Sequence, residues 1–374
     1  MKKRRKRILF FLPGLDVGGA ERHAVVLRQA FSNMGFETRL VVFGRRRPSA
    51  LLGHPGAEGA LFLGLKGMSD LFGWPRIWNA LQGFRPDVIV AVNQTPLIVS
   101  AAMHLLLSGR PKLACVFHTT EMQPFESRLQ NAFKFAVRHA DCLIYVGENQ
   151  RKAWAARGVV ARRESVIANG VDLRQFCGLG REEAKSRLGI AKGDLVIGHV
   201  GAFRVEKNQI ELIEAIARVR GRGVAIKALL VGDGPTRSLV ESRVRALGLG
   251  AEVIFAGEQY DVSPFVAACD IGALCSTIET FPLSALEFLA SGVPMIASNV
   301  GGAPEIVRDG ENGRLYPSGD IEGFACAVQD LAEMGRRKAL ASRARASVSH
   351  LSQDAMVARY RDLVRDLLVG CEAW

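Results

Sequence analysis

Aromatic residues are few in this 374-residue chain, 7% of the total, and only four of them are Trp and four Tyr. Single-stranded nucleic acids are held by such rings interleaved with basic residues; no stretch shows that pattern, so nucleic acid is not an expected partner. Cysteine is sparse as well: seven, an odd number, scattered from Cys115 to Cys371 with no Cys-x-x-Cys pair. That excludes a disulfide framework and a zinc knuckle and suits a reducing compartment. The Asp-x-Asp arrangement that could chelate a divalent metal does not occur. Long apolar runs are missing too. The nearest approach to a membrane span, Val88 to Leu107, is broken by Asn93, Gln94, Thr95 and Pro96, and reads better as a buried strand, a turn and a core helix. Ile8 to Leu12, behind a basic run, imitates an export signal, but five apolar residues before Pro13 are too short a stretch for export.

What is present is a globular composition, 48% apolar and 23% charged, over a length that suits about two domains of 150 to 200 residues. Thirty-nine glycines favour many tight strand-to-helix turns and hence an alternating α/β chain. The net charge is +12, and the run Lys2-Lys3-Arg4-Arg5-Lys6-Arg7 supplies half of it. Such a cluster is drawn to anionic membrane surfaces, so peripheral attachment through residues 2–7 is expected.

Along the first half, apolar runs alternate with helical spacing. Strands are predicted at Ile8 to Leu12, Thr38 to Phe43, Asp87 to Val92, Lys112 to Phe117, Cys142 to Val146 and Ser165 to Ile167. Helices are predicted at Ala20 to Met34, Ser127 to Arg138 and Asn149 to Arg157. Polarity and glycine content rise between Asn169 and Gly180, a short helix follows at Arg181 to Leu188, and the alternation restarts. The second half has strands at Leu195 to Val200, Ile226 to Val231, Val253 to Ala256, Ile271 to Cys275 and Pro294 to Ala297. The pattern predicts residues 1–172 and 173–352 as two doubly wound domains with a ligand cleft between them. Met356, Tyr360, Leu363, Val364 and Leu367 give the last segment, residues 353–374, one apolar helical stripe, expected to pack back toward the first domain.

Two segments could carry chemistry. Gly18-Gly19 follows the first strand and opens a helix, where free N–H groups attract phosphate. It is not Gly-x-Gly-x-x-Gly, and Arg45-Arg46-Arg47 rather than an acidic residue follows the second strand, which argues against a nicotinamide dehydrogenase. The second segment is Glu279-Thr-Phe-Pro-Leu-Ser-Ala-Leu-Glu287. Pro282 suits the first helical position, leaving the N–H groups of Leu283 and Ser284 free, with Glu287 little more than a turn later. Paired carboxylates that each accept two hydroxyl hydrogen bonds suit a ribose and a hexose better than a metal. Two glutamates favoured by the dipole of a helix start would also account for them.

The run from Glu279 to Val307 resembles the signature of retaining GT-B glycosyltransferases, the large group 1 (family four) class. The resemblance extends through Val166 to Phe176, Gly201 to Gln209, Gly232-Asp233-Gly234-Pro235 and Gly18-Gly-Ala-Glu-Arg22, in the same order. It implies two Rossmann-like domains facing a cleft and transfer of a hexose from a nucleotide-sugar, UDP-linked, to a glycan or lipid-linked glycan, as in polysaccharide or lipopolysaccharide synthesis. By the same resemblance Glu287 holds the ribose, Glu279 the sugar hydroxyls, and amides near Phe281, Leu283 and Ser284 the distal phosphate. Lys207 neutralises the leaving diphosphate, Gly18 and Gly19 admit it from the first domain, and His118 approaches the donor sugar. Neither a metal nor another cofactor is implied.

Many members carry arginine where this chain has Ala202; Arg204 is the expected substitute cation. The departure keeps one alternative in view, an inactive sugar-nucleotide-binding relative at a membrane surface; a second alternative is an epimerase of the same fold. The expected location is the cytoplasmic face of a membrane.

Overall fold

The computed structural model describes residues 4–16, 18–68, 70, 73–104, 106, 107, 109–120 and 129–369. These fall into two compact units: the residues up to Asn169 together with those from Met356 onward, and Gly170–Ala355.

The first unit is built on β1 Arg7–Leu12, β2 Glu37–Val42, β3 Leu61–Phe62, β4 Val88–Val92, β5 Lys112–Phe117, β6 Cys142–Tyr145 and β7 Glu164–Val166. All pair in parallel, in the order β3-β2-β1-β4-β5-β6-β7. The second unit holds β8 Val196–Val200, β9 Lys227–Val231, β10 Val253–Gly257, β11 Ile271–Leu274, β12 Met295–Ser298 and β13 Gly313–Tyr316. These are parallel too, in the order β10-β9-β8-β11-β12-β13. A parallel sheet covered by helices on both faces needs apolar side chains on both, and the central strands obey: Val88–Val92 is buried at every position and so is Ile271–Leu274.

Observed strands agree with the predicted ones to within a residue or two, but β3 and β13 were not among them. Both are edge strands with a single neighbour: β3 is only two residues long, inside the short apolar stretch Ala60 to Leu63, and β13 reads Gly-Arg-Leu-Tyr. Val88 to Leu107 resolves into β4, a turn at Asn93 with φ 64°, and a helix Gln94–His104 that tolerates Pro96 in its first turn. The predicted helix from Ser127 lies partly outside the described residues; what is described runs Gln130–His139. The helix Gln353–Val369 buries Met356, Val357, Tyr360, Leu363, Val364 and Leu367. Arg359 donates to the Val166 carbonyl at 2.6 Å and Arg163 pairs with Asp366 at 2.9 Å, so this helix is tied to the β7 edge.

In each sheet the strand order reverses between two neighbours, β1 with β4 and β8 with β11. Loops leaving the carboxyl ends of such strands diverge to opposite faces and open a crevice, the usual ligand position in doubly wound sheets. The loops after β8 and β11 carry Gly201 to Lys207 and Cys275 to Pro282; those after β1 and β4 carry Gly18 and Asn93. Among the described residues no helix is long and apolar enough to cross a membrane. The six described cysteines are free, four of them buried; Cys371 lies outside the described residues.

Candidate active site

The β8 loop passes through Arg204 into a short 3-10 turn, Val205–Lys207, and Asn208 takes a left-handed conformation, φ 48°, to start the helix Gln209–Gly221. The turn brings Lys207 Nζ to 2.6 Å from Glu279 Oε1, an oxygen that also accepts from Ser276 Oγ at 2.6 Å. Glu279 is buried at 6% exposure, so this carboxylate is fixed by two donors. The backbone is stitched in parallel: Thr277 N–H donates to the Glu206 carbonyl at 2.8 Å, and the Cys275 thiol to the Lys207 carbonyl at 3.3 Å.

Glycines press on both loops. A Cβ on Gly301, φ +52°, would stand 1.7 Å from the Glu279 carbonyl oxygen, and one on Gly302 would stand 2.0 Å from that of Thr280. In the Gly232-to-Pro235 motif, Gly232 and Gly234 would place Cβ atoms 2.1 and 2.4 Å from the carbonyl oxygens of Gly201 and Phe203. Only glycine permits this approach. The two glycine motifs therefore brace the loops that carry Lys207 and Glu279. Asp233 caps its own loop, accepting from Gly234 N–H and Arg237, each at 2.7 Å.

Beyond Glu279 the helix is Leu283–Ala290, and Pro282 is its cap residue, φ −69° and ψ 114°, not its first helical residue. The sequence expectation was one position early, because ψ of 114° turns the chain out of the helical region at the proline itself. The consequence strengthens the site: Leu283, Ser284 and Ala285 occupy the first helical positions, and no side chain caps their N–H groups. Phe281 is buried ahead of them, and Glu287 is buried in the second turn.

Arg204 does not join this group. It is exposed, and its closest carboxylate is Glu206 at 3.9 Å, since an extended backbone at the cap position swings it away from the turn that carries Lys207. Beneath the site His199 is buried with neither ring nitrogen bonded, and burial first, then the Lys207 charge, pushes its pKa down to about 4.

Gly18, Gly19 and His118 belong to the N-terminal unit. Gly18 caps the helix Gly19–Asn33, and its only close neighbour on adding a Cβ is the flexible Glu21 side chain, so its constraint is weaker than that on Gly301 or Gly302. His118 directly follows β5. Its backbone N–H donates to Asn93 Oδ1 at 2.7 Å. Gln150 Nε2 donates to the carbonyls of Phe117 and Thr119 at 2.9 and 2.8 Å, Trp154 Nε1 to that of Thr119 at 2.8 Å, and Gln94 Nε2 to Thr119 Oγ1 at 2.7 Å. Desolvation pushes the His118 pKa down to about 3, so the ring is neutral at physiological pH. Its Nε2 lies 3.0 Å from Nδ1 of the buried His23. Sequence reasoning missed Asn93, Gln94, Gln150 and His23. None stands in a chemical motif; a buried glutamine reads as any helix polar residue until the strand beside it is known.

Residues 180–347 match the family described as Glycosyl transferases group 1, and residues 17–175 match Glycosyltransferase Family 4, so the two together span most of the chain. The chain belongs to the group 1 glycosyltransferases. It is 28% identical over 363 residues to the lipopolysaccharide core biosynthesis glycosyltransferase LpsE of Rhizobium meliloti, covering 96% of this chain and 98% of LpsE. To the N-acetyl-alpha-D-glucosaminyl L-malate synthase of Bacillus anthracis it is 28% identical over 267 residues, 70% of each chain. Among solved structures, Anabaena HepE in complex with UDP-glucose superposes with a TM-score of 0.84 at 24% identity, covering 96% of this chain and 99% of HepE. WaaG, a glycosyltransferase of lipopolysaccharide biosynthesis, gives 0.76 at 17% identity, covering 95% and 99%. The fold of this glycosyltransferase is GT-B.

Proposed function

We propose that this glycosyltransferase moves a hexose from a UDP-sugar to a glycan or lipid-linked glycan, with retention of configuration and without a divalent metal or other cofactor. The observation that carries the reading is Lys207 Nζ held 2.6 Å from the buried Glu279, four residues ahead of the uncapped helix Leu283–Ala290. A cation, a fixed carboxylate and free helix N–H groups are the donor set that a sugar diphosphate requires. The free amides take the distal phosphate, Glu287 the ribose hydroxyls, and Glu279 the sugar hydroxyls. Lys207 turns from Glu279 toward the diphosphate, with Arg204 able to swing in from solvent as the second cation. Gly18 and Gly19 present backbone to the diphosphate, and His118 offers a neutral hydrogen-bond partner to the sugar.

Among the described residues no carboxylate outside this set is assigned to the donor, so the reaction is read as single-faced. The anomeric C–O bond to the phosphate breaks, the acceptor oxygen bonds the same face, and the departing phosphate oxygen takes the acceptor proton. Lys207 and the helix amides lower the barrier because they act on charge that develops only as the bond breaks. The relatives named for lipopolysaccharide biosynthesis support a glycan acceptor, and the basic run at residues 2–7 is the ground for placing it at the cytoplasmic face of a membrane. Of the basic run, Arg4 pairs with Asp87 at 2.6 Å and Arg7 with Glu37 at 2.8 Å, so contact with anionic lipid falls to Arg5 and Lys6 among the described residues. Lys2 and Lys3 lie outside them.

A donor screen tests the proposal: UDP-, ADP- and GDP-sugars with an extracted glycolipid pool, following release of the nucleoside diphosphate by chromatography and the anomeric configuration of the product by NMR. Acceptor-dependent release from a UDP-hexose, unaffected by EDTA, is the expected result. An inverted product, or a free epimerised sugar without acceptor, overturns it.

A further inference from the structure

His23 lies on the helix Gly19–Asn33, outside every segment assigned to the donor. It is 4% exposed, and its Nδ1 is 3.0 Å from His118 Nε2 with the two rings edge to face, 84° apart. On its other side the ring of Tyr360, from the helix Gln353–Val369, packs at 5.2 Å and 75°. Three segments distant in sequence thus enclose one imidazole pair. His23 Nε2 is buried without a hydrogen-bond partner.

Two imidazole nitrogens at 3.0 Å can share only one proton, so the tautomers of the two rings are coupled. Both rings remain neutral, because burial and, for His23, the proximity of His118 lower their pKa values. A buried N–H without an acceptor is costlier than an unused lone pair, and His23 Nε2 has no acceptor. Its proton therefore sits on Nδ1 and is donated to His118 Nε2, which forces the His118 proton onto its own Nδ1.

We propose that His23, backed by Tyr360, is a positioning residue that fixes the ring and tautomer of His118, so that His118 presents an Nδ1–H donor to the transferred sugar. The backbone clamps on Phe117, His118 and Thr119 complete this: they hold the main chain while His23 holds the ring. The inference rests on the donor-sugar role given to His118 above, but its tautomer prediction does not.

The test uses the full chain labelled with 15N-histidine, with long-range proton–nitrogen spectra assigned through the H118A and H23F variants. At neutral pH, His118 should appear as the Nδ1–H tautomer in the wild type and revert toward Nε2–H in H23F. Turnover of H23F should fall by about ten- to a hundredfold with a much smaller change in the donor KM, the loss of one oriented hydrogen bond. Asparagine has an amide in place to donate to His118, so H23N should recover most of that turnover. A wild-type His118 protonated on Nε2, or H23F turning over at the wild-type rate, overturns the proposal. If H23F fails to fold, the wild-type spectrum and the turnover of H23N, expected near wild type, decide it. If H118A keeps full turnover, the donor-sugar role of His118 has failed while the tautomer result stands on its own.

Discussion

Gly302 offers a clean way to displace the Glu279 loop without touching a side chain that binds anything. Its backbone is right-handed, φ −88° and ψ 0°, which any residue adopts, so Gly302→Ala carries no dihedral penalty. The cost comes only from contact: the new Cβ would stand 2.0 Å from the Thr280 carbonyl oxygen, whereas real Cβ atoms essentially never approach within 3.0 Å. The loop must open by about 1 Å, and a misplacement of that size costs about a hundredfold in rate where oriented groups do the work. Overpacking of this kind costs about 1 to 3 kcal/mol in stability. The hydrogen bond from Gly302 N–H to the Glu279 carbonyl, already 3.3 Å, should be lost as well. The control is Gly310→Ala, where φ is +72° but nothing lies within 4 Å of the added Cβ. It should lose about 1 kcal/mol through its left-handed backbone and keep full turnover. UDP release and urea unfolding on both variants give the comparison. Equal turnover in the two would refute the idea that the glycine pair sets the geometry of Glu279.

Lys207→Ala should depress turnover by about a hundredfold or more while weakening nucleotide binding less than tenfold, since its charge acts chiefly on the leaving group; equal losses measured by kinetics and calorimetry would reduce it to a ground-state contact. Glu287→Ala should weaken UDP binding by roughly 1.5 to 3 kcal/mol, and unchanged calorimetric affinity would remove it from the ribose site. His23, His118 and His199 all have folded pKa values below the ordinary 6.5, so the unfolded chain binds more protons as pH falls below 6.5 and stability declines from there toward the folded values. The loss should read as a lower urea midpoint at pH 5.5 than at pH 7.5; an unchanged midpoint would mean that these rings accept protons without strain. Neutralising Lys2, Lys3, Arg5 and Lys6, with Arg4 and Arg7 kept for their ion pairs, should reduce sedimentation with anionic liposomes at low salt, and undiminished binding would leave the basic run without a membrane role.

The fold class was legible because a parallel sheet buried on both faces writes itself as short apolar runs, and Ile8 to Leu12, Lys112 to Phe117 and Ile271 to Cys275 are such runs. The apolar stripe from Met356 to Leu367 was legible for the same reason, burial along one helical face. The edge strands were not: Leu61–Phe62 is too short to stand out, and Gly313–Tyr316, held by backbone hydrogen bonds to one neighbour, needs no apolar signature. Motif spacing marked Glu279 and Glu287 as chemical residues and the family resemblance marked Lys207, but nothing local places Lys207 on Glu279 across 72 positions. That contact follows from strand order: β8 and β11 become neighbours at the reversal of the sheet, and their loops meet there. Tertiary structure likewise separated Arg204 from Lys207, three residues away, by the direction of one extended backbone. It also joined His23 to His118 across 95 positions, because the start of the helix after β1 and the end of β5 both lie at the carboxyl edge of one parallel sheet. Side-chain chemistry is written residue by residue in the chain, whereas the distances that turn it into a site exist only once the strands have been ordered.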